Sequence, residues 1–276
     1  MRNCVLISLV VICGLLPAAA WSQSPPAFCT EWGSEGLGQG QFEHPSGVAV
    51  DATGSVYVVE FGNSRVQKFT SSGGYITQWG TPGFEPGQFS GPYGVAVDAS
   101  GNVYVMDTSN HRIQKFTSSG VYITQWGSNG TGPGQFSYPA DVAVDASGSV
   151  YVADRGNCRI QKFTSSGGYI TQWGSYGSGE GQFYFPFGVA VDASGSVYVV
   201  DTYLTRIQKF TSSGEYITRW GSYGSGPGQF LYPADVAVDA SGSVYVADQN
   251  NNRIQKFCGP TAVQNTTWGR VKNMFR

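Results

Sequence analysis

Charge is what this sequence has least of. Sixteen Lys and Arg with 18 Asp and Glu make only 12% of the 276 residues, about half the usual quarter. A coiled coil or helical array, with its charged outer faces, is thereby excluded. The two signs nearly cancel, to a formal net charge of −2, so there is neither a basic excess for nucleic acid nor an acidic solvating tail. Histidine is scarcer still, with only His44 and His111. Apart from Val5–Leu16 no long apolar run exists, and that one falls short of the roughly 20 residues a spanning helix needs. No membrane insertion is expected.

Glycine and aromatic residues fill the space that charge leaves. The 39 glycines are about twice average usage, and 14% of residues are aromatic within a 41% hydrophobic chain. A core can be buried, so disorder is excluded. Aromatics separated by glycines suit short strands and tight turns, an all-β fold.

The first 22 residues stand apart. Arg2, the apolar run and the small residues of Pro17-Ala-Ala-Ala-Trp-Ser22 form a secretory signal peptide, cut after Ala20 or Ser22. Ile12 stands where lipidation of Cys13 would require a small residue. The expected location is secreted or periplasmic, with a propeller-forming domain over 23–258 and a tail over 259–276. Three cysteines then remain, Cys29, Cys158 and Cys258, enough for one intrachain bridge in an oxidising compartment.

A repeat of 47 residues organises the rest. Trp32, Trp79, Trp126, Trp173 and Trp220 keep that spacing, as do Asp51 through Asp239 and Arg65 through Arg253. In one copy, residues 141–145, 149–153, 159–163 and 169–173 predict four strands, joined in pairs by Asp145-Ala-Ser-Gly148 and Thr164-Ser-Ser-Gly167. Four antiparallel strands per repeat describe a β-propeller blade. The repeated Trp reads as a wedge between blades rather than a sugar platform, since every copy has it.

Gly134-Gln-Phe136, Pro139, Asp141–Asp145, Val150–Asp154 and Asn157–Phe163, with Asn110-His-Arg-Ile-Gln114 in the second copy, resemble the NHL repeat over residues 31–257. The resemblance implies a β-propeller serving as a binding platform. Counting gives five blades, with six the alternative, the extra blade coming from both chain ends or a second chain. The last blade has two candidate outer strands, Phe28–Trp32 and Val263–Trp268. Cys29 falls at the position of Ile76 and Cys258 at that of Thr70, neighbouring sites within a blade. A Cys29–Cys258 bridge is therefore expected to close the ring through the N-terminal strand.

Variation among the copies marks one face. The loops before the first strand and after the second collect Tyr93, Tyr138, Phe185, Phe187, Tyr203 and Tyr232, together with Phe61, Tyr184, His44, His111 and Arg155. The hairpin turns on the opposite face barely change. Variable loops on a rigid scaffold are where binding is found, and aromatics with Arg make good anchors. Outside the repeated frame the propeller carries only Arg155 and Arg219 as bases, against eight acids. The basic face through which some NHL propellers hold RNA is thus missing. A protein or glycan partner, a monomeric chain and no nucleic acid are expected.

Catalytic chemistry finds less support. The ring of Glu60, Asp107, Asp154, Asp201 and Asp248 could hold a hard cation, but an Arg follows each acid by five residues, so repeated ion pairs are expected. Gly130-Thr-Gly-Pro-Gly134 lacks the Lys-Ser/Thr of a phosphate cradle and reads as a connector. The propeller enzymes that the resemblance brings to mind would need several histidines or convergent carboxylates. The expectation is a non-catalytic binding module without a cofactor or metal; the alternative is a metal-dependent lyase or hydrolase at the channel. Non-reducing peptide mapping is expected to recover Cys29 joined to Cys258; finding both thiols free would exclude the bridge.

Overall fold

Aspartate and glycine together set each inner hairpin. Asp145 Oδ1 accepts the Ser147 and Ser149 N–H groups at 2.9 Å, and Gly148 takes φ 85°, a left-handed conformation that glycine adopts without steric cost. The Tyr151 hydroxyl donates to Asp145 Oδ2 at 2.9 Å, and Lys162 Nζ lies 5.0 Å from that ring's centroid. In the first copy burial raises the Asp51 carboxyl, but hydrogen bonds from Thr53, Ser55 and Tyr57 outweigh it and hold the group at about 2.

A computed structural model describes residues 30–258, and its propeller runs from Trp32. Cys29, the predicted signal peptide and the tail lie outside the described residues, so the expected bridge does too. Blade 1 comprises β1 (Pro45–Val50), β2 (Val56–Glu60), β3 (Arg65–Phe69) and β4 (Tyr75–Trp79). Blade 2 has β5 (Pro92–Val97), β6 (Val103–Asp107), β7 (Arg112–Phe116) and β8 (Tyr122–Trp126). Blade 3 has β9 (Asp141–Val144), β10 (Val150–Asp154), β11 (Arg159–Phe163) and β12 (Tyr169–Trp173). Blade 4 has β13 (Pro186–Val191), β14 (Val197–Asp201), β15 (Arg206–Phe210) and β16 (Tyr216–Trp220). Blade 5 has β17 (Pro233–Val238), β18 (Val244–Asp248) and β19 (Arg253–Phe257) among the described residues. Every sheet is antiparallel with its strands in chain order. The strands predicted for the third copy agree with the observed ones to within one residue.

The second strands are covered on both sides: β6, β10 and β14 are buried throughout, which is why their sequences are nearly continuous apolar runs. Tryptophan wedges the blades apart as expected. Trp126 packs on Phe163 of the next blade, 6.1 Å between centroids, while a Cβ added at Gly167 would sit 2.6 Å from the Trp126 ring.

The repeated acid is a clamp. Asp154 Oδ2 accepts Arg159 Nε at 2.7 Å and Asn157 Nδ2 at 2.9 Å, and Oδ1 accepts the Ser137 N–H at 2.8 Å. The rest of the Arg159 guanidinium donates to the carbonyls of Thr131, Gly132 and Gln135. The glycine-rich segment is thus a connector, tied at its carbonyls to the blade it leads into. It delivers Phe136, fully buried, against Phe163 at 5.6 Å.

Successive blades meet at four junctions, β1 with β5, β5 with β9, β9 with β13 and β13 with β17. Among the described residues nothing covers the corresponding faces of blades 5 and 1. Val48 is 67% exposed where its counterparts Val95, Val142, Val189 and Val236 are 3–7% exposed. Ile254 is 65% exposed where Val66, Ile113, Ile160 and Ile207 are fully buried. Trp32 packs on Phe69 of blade 1 at 5.9 Å, as Trp126 does on Phe163. The first strands all line one central channel.

Breaking one clamp leaves a fully buried carboxylate without its counter-ion. Arg159→Ala is therefore expected to lose about 3–5 kcal/mol of stability, read as a lower urea midpoint at unchanged slope.

Candidate binding face at the channel mouth

The loops of the variable face are held in costly backbone conformations. His44, Tyr138 and Tyr232, at one repeat position, and Ser64, His111, Cys158, Thr205 and Asn252, at another, all have φ between 45° and 57°. Among the described residues these are all the non-glycine positions in the left-handed region, and every one lies on this face. The opposite face uses glycine for its turns. Non-glycine residues held there cost of order 1–3 kcal/mol each and gather where a surface has work beyond folding.

Most of the sequence-predicted aromatics come together. Phe185 lies 4.6 Å from Tyr203 and 6.5 Å from Phe187, and Phe187 meets Tyr93 edge-on at 5.2 Å. Tyr203 also touches Tyr184 at 5.8 Å and Tyr232 at 5.9 Å. The Arg155 guanidinium sits 4.9 Å from the Phe185 centroid and 5.6 Å from that of Phe187, a cation–π arrangement that fixes both partners. Tyr138 and His111 form a separate pair, with rings 4.8 Å apart and the Tyr138 N–H donated to His111 Nδ1 at 3.1 Å. His44 is exposed, and its carbonyl accepts the Phe61 N–H at 3.0 Å. It joins neither group, so the two histidines act apart.

The cluster overhangs a cavity of about 300 Å³ at the channel mouth, lined by Ser46, Tyr93, Phe187, Asp141 and Asp235 among others. Two successive repeat positions supply much of its wall: Ser46, Tyr93, Phe187 and Ala234, with Ala140 as their counterpart in blade 3, then Gly47, Gly94, Asp141, Gly188 and Asp235. Bulk alternates with charge. Where the first position is aromatic the second is glycine, and where the second is aspartate the first is alanine. Glycine makes the room, since a Cβ at Gly188 would fall 2.7 Å from Asp235 Oδ1, and one at Gly94 would collide with Asp141 Oδ1.

These two aspartates were not singled out from the sequence, although their spacing of twice 47 against a glycine background was visible there. Asp141 Oδ2 accepts the Val189 N–H at 3.0 Å, and Asp235 Oδ1 that of Val236 at 2.7 Å. Both carboxylates face the channel, Asp141 half-buried and Asp235 open to the solvent of the channel, with protein crowded round them. Loss of hydration in that crowded wall raises Asp141 well above the usual carboxylate range, with the Asp235 charge adding to it. The protein crowded about the Asp235 carboxyl brings it to about 6, against the Val236 N–H hydrogen bond, which lowers it. Tyr93 is also pushed up by burial, against the pull of Arg155. Cys158, whose Sγ lies 3.5 Å from the Tyr184 carbonyl, has its thiol raised by burial and by nearby Asp201 and Asp154, the opposite of an activated nucleophile. Among the described residues no three His, Cys, Asp or Glu side chains gather as a metal site.

Blade 4 departs furthest from the repeat. Leu204 stands where Asn63, Asn110, Asn157 and Asn251 bond the clamp acid. Asp201 instead accepts the Tyr184 and Phe185 N–H groups at 3.1 Å, and Arg206 Nε lies at 3.3 Å. Burial leaves the Asp201 carboxyl raised. The copy that has lost part of its clamp is the one that supplies Tyr203, Phe185 and Phe187.

A folded-state carboxyl at about 6 holds a proton that the unfolded chain releases near 3.8. Stability that Asp235 lets the fold keep below about pH 4 is therefore lost as pH rises to about 6. Asp235→Asn is expected to raise Tm at pH 7–8, with the gain fading to nothing near pH 4, as measured by thermal scans across that range.

The NHL repeat matches this chain at residues 42–69, 89–116, 136–163 and 230–257; the unmatched copy is the one in blade 4. No curated protein sequence matches. Virginiamycin B lyase from Staphylococcus aureus shares the fold at 17% identity and a TM-score of 0.56, over 78% of this chain and 69% of that one. A streptogramin B lyase structure does so at 20% identity and 0.57, over 78% and 68%. A chain of a nidogen/laminin complex aligns at 18% identity and 0.58, over 78% and 75%. Among the described residues no helix is long and apolar enough to cross a membrane. With four matched repeats, each folded as most of a blade, the chain is an NHL-repeat β-propeller.

Proposed function

We propose that this protein is an exported, non-catalytic binding scaffold that holds a protein partner on the aromatic face, with a side chain of that partner seated in the channel mouth. The observation that carries this reading is the joining of Tyr93, Phe185, Phe187, Tyr203 and Tyr232 with Arg155 over a cavity whose wall bears two carboxylates. Clustered aromatics around Arg are the usual composition of an energetic centre at an interface. The paired aspartates favour a basic or neutral inserted group and oppose an acidic one. A structural neighbour taken from a nidogen/laminin complex is consistent with a protein-binding use of such a propeller. A glycan stacked on Tyr203, which is 51% exposed, would use the same rings.

A lyase or hydrolase at the channel is the second reading, favoured by the convergence of Asp141 and Asp235 on one cavity, where both carboxyls are raised toward neutral pH. The likeness to two lyases of this fold agrees with it. Metal analysis of the purified protein separates the readings, since a stoichiometric ion would favour catalysis.

The test of the binding reading is capture from extracellular extracts by immobilised protein. The double variant Phe187→Ala with Tyr203→Ala is expected to lose the captured partner by at least about tenfold, each anchor contributing of order 1–2 kcal/mol. Its far-ultraviolet circular dichroism should stay unchanged. Ser166→Ala, on the opposite face, should capture normally. Equal capture by all three proteins would remove the aromatic face from consideration.

A further inference from the structure

The chemistry of the channel mouth changes in a fixed order along the first strands. The aromatic position comes first, the aspartate position next and a valine after that. Tyr93 and Phe187 thus stand before Asp141 and Asp235, and Val95, Val142, Val189 and Val236 follow in the same cavity. Acids elsewhere in the blades are matched by bases. The five clamp acids each meet an arginine, and Asp51, Asp98 and Asp192 each meet a lysine. Asp141 and Asp235 meet no base within ion-pair distance among the described residues. Their donors are backbone N–H groups alone, those of Val142 and Val189 for Asp141 and that of Val236 for Asp235, so acceptor sites remain on both carboxylates. The wall beside them already holds a cation. The Arg155 guanidinium lies on the Phe185 and Phe187 rings, 4.9 and 5.6 Å from their centroids, and pairs with neither aspartate.

We propose that the channel mouth takes a primary alkylammonium, the side-chain end of a lysine on the protein partner, with its methylenes against Tyr93 and Phe187 and its charge between Asp141 and Asp235. The inference rests on the protein-binding reading of the aromatic face and names the side chain that enters. A lysine carries its chemistry in the same order as the wall, an apolar stem first and the charge at the tip. Aromatic rings beside the stem also attract the ammonium. Ammonium is chosen over guanidinium because of where the carboxylates stand. They come from blades 3 and 5, on either side of blade 4, and each has an oxygen already held by a backbone N–H. A guanidinium fork needs both oxygens of one carboxylate side by side, whereas the three donors of an ammonium radiate to separate acceptors. The other titratable and charged groups around the pair are Tyr93, Arg155 and Tyr232. Both tyrosines are pushed above their ordinary value, so near neutral pH only the two carboxyls change charge. Protonated aspartates hold no cation, and a pH falling through about 6 therefore empties the site.

Chemical-shift titration of the isotope-labelled protein with Nα-acetyl-lysine methylamide tests the proposal, read at the Val189 and Val236 amides that donate to the two carboxylates. At about pH 7.5 both resonances are expected to move and to saturate at millimolar probe, as for one short side chain held alone. The norleucine analogue, which has the stem without the charge, and the arginine analogue should each bind at least about tenfold more weakly. Lowering the pH to about 5 should weaken the lysine probe by about tenfold as well. Asp141→Asn with Asp235→Asn should abolish its binding. Norleucine that binds as tightly as lysine overturns the proposal whatever the double variant does, and arginine that equals or exceeds lysine overturns the choice of ammonium. A lysine probe that leaves the wild type unmoved, while capture from extracts still depends on Phe187 and Tyr203, overturns this inference and spares the protein-binding reading. A probe that binds as expected while extracts yield no partner supports the ammonium site and removes that reading.

Discussion

A buried ion pair, repeated around the channel, holds the architecture in place. In each blade an acid at the end of the second strand meets an arginine at the start of the third. The arginine's remaining donors turn outward to connector carbonyls that secondary structure leaves unused. Isolated ion pairs of this kind offer weak net stability, because desolvation offsets attraction. Here the pair has a positional role. It fixes the glycine-rich segment, which buries little apolar surface of its own beyond one Phe, and so determines how one blade hands the chain to the next. The location of every loop on the variable face follows from that attachment.

The site grows out of departures from this frame. A run of equal copies yields a symmetric channel, and symmetric channels offer no distinctive pocket. Two positions at the start of the first strand break the equivalence by exchanging volume for charge between alternate blades. Blade 4 goes further: Leu204 stands in place of the clamp asparagine, Asp201 loses that bond, and the same blade supplies Phe185, Phe187 and Tyr203. Repetition supplies rigidity, and its local failures supply chemistry.

Much of this was legible beforehand. Strand limits, blade count, the wedging role of Trp126 and the pairing of Asp154 with Arg159 all follow from spacing, because each reflects a demand made within one repeat or between neighbours. The variable face was legible for the same reason, since hairpin geometry assigns alternate loops to opposite ends. The convergence of Asp141 and Asp235 was not, because their positions are 94 residues apart and meet only through curvature. The uncovered state of Val48 and Ile254 among the described residues was hidden too. Periodicity states that each blade repeats the last, but it carries no value for the angle between them, and that angle decides whether the fifth blade reaches the first. His44 and His111 are set apart by the same geometry.

Among the described residues the row is open between blades 5 and 1, and that alters how the molecule comes apart. In a closed ring every blade has two neighbours, so none can detach without breaking two interfaces, and unfolding is collective. In an open row the terminal blades have one neighbour each. The chain then behaves as a one-dimensional array whose ends fray first and whose middle is protected. Blades 2 to 4, which carry most of the aromatic cluster, occupy that protected middle. The aromatic cluster therefore rests on the part of the row whose order survives longest.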